Sequence, residues 1–128
     1  MSSYTQPEKN KNVHLTGYVT DLEKLCLLRC CRAFLFPTLG EGFGIPVIEA
    51  QMCGAPVLTS NNTSLPEVTN GSAHLINNPL GADEIMNAIS ILWNCDNERN
   101  HVKKKGKINV ERFNFNDFKK SLSNVLFF

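Results

Sequence analysis

The amino-acid sequence predicts an α/β fold, a partial Rossmann-like, doubly wound parallel sheet of about four strands with flanking helices. Three observations lead to this prediction. Short β-rich segments alternate with helical patterns along the chain. Residues 33–36 form a continuous apolar run, which is typical of a parallel strand covered on both faces. A glycine-rich stretch over 39–44 separates that run from the next helix, as expected for right-handed helical crossovers.

The first predicted elements are a strand over 13–19 and a helix over 21–31. Residues 13–19 alternate apolar and polar side chains and are rich in β-formers. Thr20 and Glu23 have capping-box spacing, with Thr20 at the N-cap and Glu23 as the third helical residue. The helix is therefore expected to begin immediately after Thr20.

The middle of the chain predicts further alternation of strands and helices. The strand over 33–36 ends at Pro37, and Pro46 suits the first turn of a helix over 46–53. Gly54 then terminates that helix. The next predicted elements are a strand over 55–59, a turn-rich loop over 60–64, a short segment over 65–68 and a strand over 74–76.

The last third of the chain is predicted to be helical. A helix over 83–93 carries apolar residues at most positions and is expected to be buried. Two further helices are predicted over about 97–112 and 116–125. The lysine run 103–105, with Lys107, is more typical of a solvated helix face than of a phosphate patch.

Composition narrows the classes of function. The chain has 128 residues, 42% of them hydrophobic and 20% charged, which suits one modest globular core. A net charge of +1 gives no overall field toward nucleic acid or anionic membranes. The apolar runs are shorter than the ~20 residues that cross a bilayer, and the polar first residues do not resemble a secretion signal. A soluble, cytoplasmic protein without a transmembrane segment is expected.

The five cysteines do not have the spacing of a metal site or a disulfide framework. Cys26 and Cys30 lie four residues apart on a predicted helix, but no His or second cysteine pair accompanies them. Packing in the core is therefore expected for them, and no metal ligands are predicted.

The glycine-rich loop and two glutamates predict a ligand site. Gly40, Gly42 and Gly44 let backbone N–H groups approach a ligand, and the following helix presents its positive end to phosphate. In doubly wound sheets ligands bind beyond the carboxyl ends of the strands, where this loop lies. Glu41 and Glu49 can accept hydrogen bonds from sugar hydroxyls. A nucleotide sugar, with a hexose at one end and a ribose at the other, fits this pattern.

Residues 41–50, Glu-Gly-Phe-Gly-Ile-Pro-Val-Ile-Glu-Ala, followed by Gly-Ala-Pro-Val at 54–57, resemble the E-x7-E signature of family-four glycosyltransferases (glycosyl transferases group 1). The segments 13–19, 33–37 and 64–68 resemble the family's flanking blocks in the same order. The resemblance covers about residues 12–126. It implies that 13–128 is a truncated carboxy-terminal, donor-binding domain of a retaining enzyme of the GT-B fold, after a disordered leader over 1–12.

The resemblance also implies roles for particular residues. Glu41 would bind hydroxyls of the transferred sugar as a positioning residue, not as a nucleophile, and Glu49 would bind the ribose. The mechanism implied is front-face displacement, in which the leaving diphosphate helps to deprotonate the acceptor. No cofactor or metal-binding D-x-D is implied. The other implied donor-binding residues are Gly42, Phe43, Gly44 and Ile45 at the sugar and diphosphate, Ser64 and Leu65 near the phosphates, and Tyr18 and Val19 beside the base.

The resemblance implies missing parts as well. A GT-B enzyme has a first domain that binds the acceptor, and its second domain usually carries an Arg and a Lys that bind phosphate. Neither feature has a counterpart in this sequence, and the usual strands between 13–19 and 33–36 are also missing. We therefore expect either direct pairing of those two strands or completion of the sheet by another polypeptide, which would be a separate acceptor-domain chain or a second copy.

Three functions remain open at this stage. The first is hexosyl transfer from a nucleotide sugar, such as UDP-glucose or GDP-mannose, to an unspecified acceptor. The second is a non-catalytic remnant that binds a nucleotide or a partner. The third, an unrelated dinucleotide-binding domain, is disfavoured because no G-x-G-x-x-G follows the first strand with an acidic residue about twenty positions further on.

Overall fold

The sheet is parallel and has three strands. A computed structural model of the chain describes residues 11–114 and 116. Its strands lie side by side in chain order, with Phe34 opposite Val57 and Leu58 opposite His74. The strands are β1 (Phe34–Phe36), β2 (Val57–Ser60) and β3 (His74–Ile76).

Helices connect the strands, which confirms the predicted α/β class. In the described residues they are α1 (Asp21–Cys30), α2 (Ile45–Met52), α3 (Leu65–Thr69), α4 (Ala82–Asn94) and α5 (Asp96–Val110), followed by a short 3₁₀ helix (Glu111–Phe113). Consecutive parallel strands are joined by α2 and by α3, as a parallel sheet requires of its crossovers. The predicted strand over 74–76 is found at those residues.

The start of α1 has the predicted capping box. The Thr20 hydroxyl oxygen accepts from the Glu23 amide at 3.3 Å, and the Thr20 amide donates to Glu23 Oε2 at 2.7 Å. Each residue therefore satisfies a donor that the other leaves open, and the helix begins at Asp21 as predicted.

Strand β2 lies at the centre of the core, and all four of its residues are buried. Its successive side chains point to opposite faces of the sheet. Val57 packs in a cluster with Val47 and Leu65, whereas Leu58 packs in a second cluster with Leu92 and Val102. Helices thus cover β2 on both faces, which is the layered arrangement of a doubly wound sheet.

The prediction of a strand over 13–19 is wrong. That segment has no regular secondary structure and is mostly exposed, with Leu15 77% and Tyr18 95% exposed, and Gly17 adopts a φ of +62°. No described strand pairs with it, so direct pairing with β1 is also wrong, and the described sheet has three strands instead of four. Alternation of apolar residues produces a strand only where a neighbour satisfies the backbone hydrogen bonds.

Three burial predictions need correction. Cys26 and Cys30 are exposed on α1, because that helix buries only Leu28. Leu35 is exposed, so β1 is not covered on both faces as β2 is. Helix α4 is amphipathic instead of buried: Ala88 and Leu92 face the core, while other apolar residues of the helix face outward. Those exposed residues are Met86, Ile91 and Trp93.

The polar face of α5 is exposed at lysines 103–105 and 107, as predicted. Its predicted bounds of 97–112 agree closely with α5 and the 3₁₀ helix that follows. The predicted helix over 116–125 lies outside the described residues except at its first position, and most of the predicted leader over 1–12 lies outside them too. None of the helices in the described residues is long and apolar enough to cross a membrane.

A buried network of polar side chains attaches α5 to α2. Asn109 Nδ2 donates to Gln51 Oε1 at 2.8 Å and to the Val68 carbonyl at 2.9 Å. Gln51 Nε2 donates to Ser72 Oγ at 2.7 Å. All three side chains belong to buried residues, so their hydrogen bonds offset the cost of removing these polar groups from water. No pattern in the sequence predicted this network.

Candidate functional site

Two loops meet at the carboxyl edge of the sheet. The loop after β1 includes Glu41, and the loop after β2 includes Thr63 and Ser64. The Glu41 amide donates to Thr63 Oγ1 at 3.2 Å, and Ser64 Oγ donates to the Glu41 carbonyl at 3.2 Å. The backbone of Glu41 is thereby held by the neighbouring loop on both sides of the residue. The backbone that carries the Glu41 side chain is therefore fixed in position.

A second set of hydrogen bonds joins the same loops closer to the sheet. The Thr38 amide donates to Ser60 Oγ at 2.8 Å, and Asn62 Nδ2 donates to the Thr38 carbonyl at 2.9 Å. Ser60 is fully buried. The two loops are therefore attached at both their base and their tip.

Gly44 is required by the geometry at the start of α2. It is buried, has a φ of +87°, and a Cβ at this position would lie 2.7 Å from Leu65 Cδ2. Gly42 has open space around it, with nothing within 4 Å of a Cβ. The two glycines thus have different roles: Gly44 allows α2 to pack closely on α3, whereas Gly42 leaves the loop surface open.

The first turn of α2 faces this edge. Its N-cap is Gly44, which has no side chain to cap the helix, and Pro46 has no amide hydrogen. The positive end of the helix is therefore presented by backbone alone, an arrangement that favours a negatively charged group nearby. Ile45, the first residue of α2, is 61% exposed.

Glu49 lies further along α2 and contacts α1. Lys24 Nζ donates to Glu49 Oε1 at 3.1 Å, and both side chains are partly exposed. The hydrogen bond to Glu49 raises the pKa of the Lys24 ammonium, against a smaller opposing effect of burial. The lysine therefore carries a positive charge and donates a hydrogen bond to Glu49, for which a ribose contact is predicted.

Leu65 and Phe43, two further predicted donor-binding residues, differ in how much of each is exposed. Leu65 is fully buried, and its amide donates to the Asn62 carbonyl at 3.1 Å. Phe43 is half-exposed and contacts Phe113 edge to face, with ring centroids 5.7 Å apart. The Phe43 ring therefore packs against Phe113 and is not a free surface on which a ligand could stack.

Tyr18 and Val19 lie beside α1, not in the glycine loop. Tyr18 is almost fully exposed, and Val19 is half-buried. Val19 and Lys24 line one groove of about 230 Å³, together with apolar residues of α1 and β1. The structure thus brings Glu41, the glycines and Ser64 together at one edge, and it connects Glu49 through Lys24 to the groove beside Val19.

Sequence reasoning missed two residues of this region. Thr63 contributes the hydroxyl that holds the Glu41 amide, and it has a φ of +47°, which is uncommon outside glycine. Lys24 lies in the predicted helix over 21–31, and the sequence predicts no role in the site for it. Neither position carries a local pattern that distinguishes it, because each acts through a residue more than twenty positions away in the chain.

The described residues contain no group of three His, Cys, Asp or Glu side chains that could hold a metal ion. The region contains the carboxylates of Glu41 and Glu49. They stand near a glycine-rich loop and a helix start, a combination that suits a phosphate-bearing ligand with hydroxyl groups.

The family model described as "Glycosyl transferases group 1" matches residues 3–109. The chain belongs to this family. Among its relatives, O-antigen chain mannosyltransferase B of Escherichia coli is 37% identical over 103 residues, which cover 80% of this chain and 27% of that protein. The chain therefore spans about a quarter of the length of this relative.

Two other relatives match different lengths of the chain. Serotype-specific mannosyltransferase WbdA of Escherichia coli is 55% identical over 53 residues, covering 41% of this chain and 6% of that protein. Capsular polysaccharide biosynthesis glycosyltransferase CapM of Staphylococcus aureus is 33% identical over 111 residues, covering 86% of this chain and 29% of that protein. Family membership agrees with the resemblance seen in the E-x7-E segment.

Proposed function

We propose that this chain is the donor-binding part of a retaining glycosyltransferase, which transfers a hexose from a nucleotide sugar to an acceptor. The observation that carries the proposal is the pair of loops at the carboxyl edge of the sheet. They hold the Glu41 backbone by hydrogen bonds from two sides, directly before the start of α2. Membership of the glycosyl transferases group 1 family supports the same conclusion.

In this proposal the site is divided between sugar, phosphate and nucleoside. The Glu41 carboxylate accepts hydrogen bonds from hydroxyls of the transferred sugar and positions it. Backbone groups of residues 42–45 bind the sugar and diphosphate, and Ser64 and Leu65 lie near the phosphates through the loop that carries them. Glu49 binds the ribose, and Tyr18 and Val19 lie beside the base.

The reaction proposed is front-face displacement with retention of configuration. The departing diphosphate accepts the proton of the attacking hydroxyl, and its growing negative charge is stabilised by the backbone amides and the positive end of α2. No residue becomes covalently attached to the sugar, and the donor is a substrate, so neither a cofactor nor a metal is proposed. Two of the relatives are named mannosyltransferases, which makes GDP-mannose the first donor to test beside UDP-glucose.

Activity is proposed to need a second polypeptide or a second copy. Strand β1 has a described neighbour only on its β2 side, which leaves its other edge for an additional strand. An additional strand from an acceptor-domain chain or from a second copy would complete the sheet at this edge. We also propose a cytoplasmic location.

A non-catalytic binding module is the second candidate function. It is favoured by the same open edge of β1 and by the exposure of Leu35 on that strand. An open strand edge and an exposed apolar side chain suit association with another molecule more than they suit catalysis. In this case the chain would bind a nucleotide or a partner without transferring sugar.

Calorimetric titration with UDP, GDP, UDP-glucose and GDP-mannose tests the proposal. We expect saturable binding of one nucleotide series, and its loss in Glu49→Ala but not in Glu111→Ala, an exposed glutamate after α5. Sugar transfer or donor hydrolysis that disappears in Glu41→Ala would support the enzyme, while binding without turnover would support the binding module. A folded chain that binds none of the four compounds would contradict both.

A further inference from the structure

The contact between Lys24 and Glu49 joins two elements at the nucleoside side of the proposed site. The two residues are 25 positions apart in sequence, and Lys24 Nζ lies 3.1 Å from Glu49 Oε1. Each side chain is 37% exposed. The pair is therefore neither buried in the core nor fully surrounded by water.

Hydrogen-bonding capacity remains at both ends of this pair. A carboxylate accepts at about four positions, and an ammonium carries three N–H donors. Lys24 uses one donor on Glu49, and its other acidic neighbour, Asp21, has Oδ1 at 3.7 Å, beyond good hydrogen-bond distance. Unused acceptor positions of Glu49 and unused donors of Lys24 therefore lie side by side, because the two charged groups are 3.1 Å apart.

A vicinal diol matches that arrangement, because each of its hydroxyls can donate to a carboxylate and accept from an ammonium. Lys24 also lines the groove that contains Val19, for which a position beside the base is proposed. Partly exposed ion pairs contribute little to stability.

We propose that Lys24 and Glu49 together form the ribose site, with Lys24 donating to a hydroxyl oxygen of the diol and holding Glu49 as the acceptor of the hydroxyl hydrogens. This inference rests on the proposed function, because it assumes that a nucleotide occupies the site. It adds a residue and a selectivity: ribonucleoside diphosphates bind in preference to their 2′-deoxy counterparts.

Titration of the chain with GDP, UDP and the 2′-deoxy form of each tests this inference. We expect the 2′-deoxy compound to bind about tenfold more weakly to the unmodified chain, the effect of losing a hydrogen bond to a charged group. In Lys24→Met the two forms should bind within about twofold of each other. Lys24→Arg should keep the preference, because a guanidinium also donates.

Two variants provide controls. Lys104→Met removes the same charge from an exposed position on α5 and should leave both affinities unchanged. Lys24→Leu removes both the charge and the hydrogen-bond donor, and it replaces Lys24→Met if thermal melting shows that the latter does not fold.

The outcomes separate this inference from the proposed function. Loss of the ribose preference in Lys24→Met, with Lys104→Met unchanged, supports the composite site. Equal weakening of both forms in Lys24→Met, or no preference in the unmodified chain, overturns the composite site but leaves donor binding intact. Failure of the unmodified chain to bind any of these nucleotides overturns the proposed function and this inference together.

Discussion

The loops at the carboxyl edge of the sheet and the segment that leads into α1 contrast in how they are held. The edge loops are bonded to each other and rest on residues that are fully buried, Ser60 and Leu65. Residues 13–18 are exposed throughout, and α1 buries only Leu28. In the proposed function the first region binds the sugar and diphosphate, and the second contributes the base side. The comparison indicates that the sugar and phosphate half of the site rests on more buried structure than the base side.

The largest expected difference between the regions is in core truncation. Leu65→Ala should lower the free energy of unfolding by about 3–4 kcal/mol, because it removes a fully buried side chain beneath the loops. Leu22→Ala on α1 should change it by less than ~0.5 kcal/mol, since Leu22 is 72% exposed. Urea denaturation of both variants measures the contrast, and similar losses would show that the regions do not differ in packing.

Glycine substitution sharpens the comparison within the loop itself. Gly44→Ala should destabilise the chain by about 2–3 kcal/mol, because the new Cβ would lie 2.7 Å from Leu65 Cδ2 at a φ of +87°. Gly42→Ala meets nothing within 4 Å and should leave stability nearly unchanged. Thermal melts of the two variants compare them directly. A larger effect at Gly42 would contradict the separate roles assigned to these glycines.

A smaller effect is expected at the start of α1. Thr20→Ala removes the hydroxyl oxygen that accepts from the Glu23 amide, and should cost about 1 kcal/mol. Thr16→Ala is the matched control, because Thr16 makes only an exposed hydrogen bond to the neighbouring Gly17 carbonyl. Denaturant titration of both variants provides the measurement. No difference between them would mean that the capping box does not hold α1 in place.

The smallest expected effect depends on pH. A hydrogen bond from the Thr20 amide lowers the pKa of Glu23 below its ordinary value, and a hydrogen bond from the Thr20 hydroxyl adds a smaller effect in the same direction. The stabilisation is therefore present above the ordinary pKa of a glutamate and is lost as the pH falls through the lowered value. NMR titration of the Thr20 amide should show this transition, and Glu23→Gln should abolish it. A transition at or above the ordinary glutamate pKa would contradict the assignment.

Several elements could be predicted because their signals are local. The capping box at Thr20 and Glu23, the prolines that begin helices and the apolar run of β1 depend on neighbours within a few residues. The E-x7-E segment identified the family and placed Glu41 beside the glycine loop. The strand predicted over 13–19 failed because a strand needs a partner, and alternation alone says nothing about whether one is present.

The sequence by itself determined the fold class, the family and the position of the glycine-rich loop between β1 and α2, since all three follow from local patterns. Only the tertiary structure decided that Thr63 holds the Glu41 backbone, that Asn109 bonds to Gln51, and that Lys24 bonds to Glu49. Each of these contacts joins residues more than twenty positions apart. Chain folding, and no spacing in the sequence, brings them within hydrogen-bond distance.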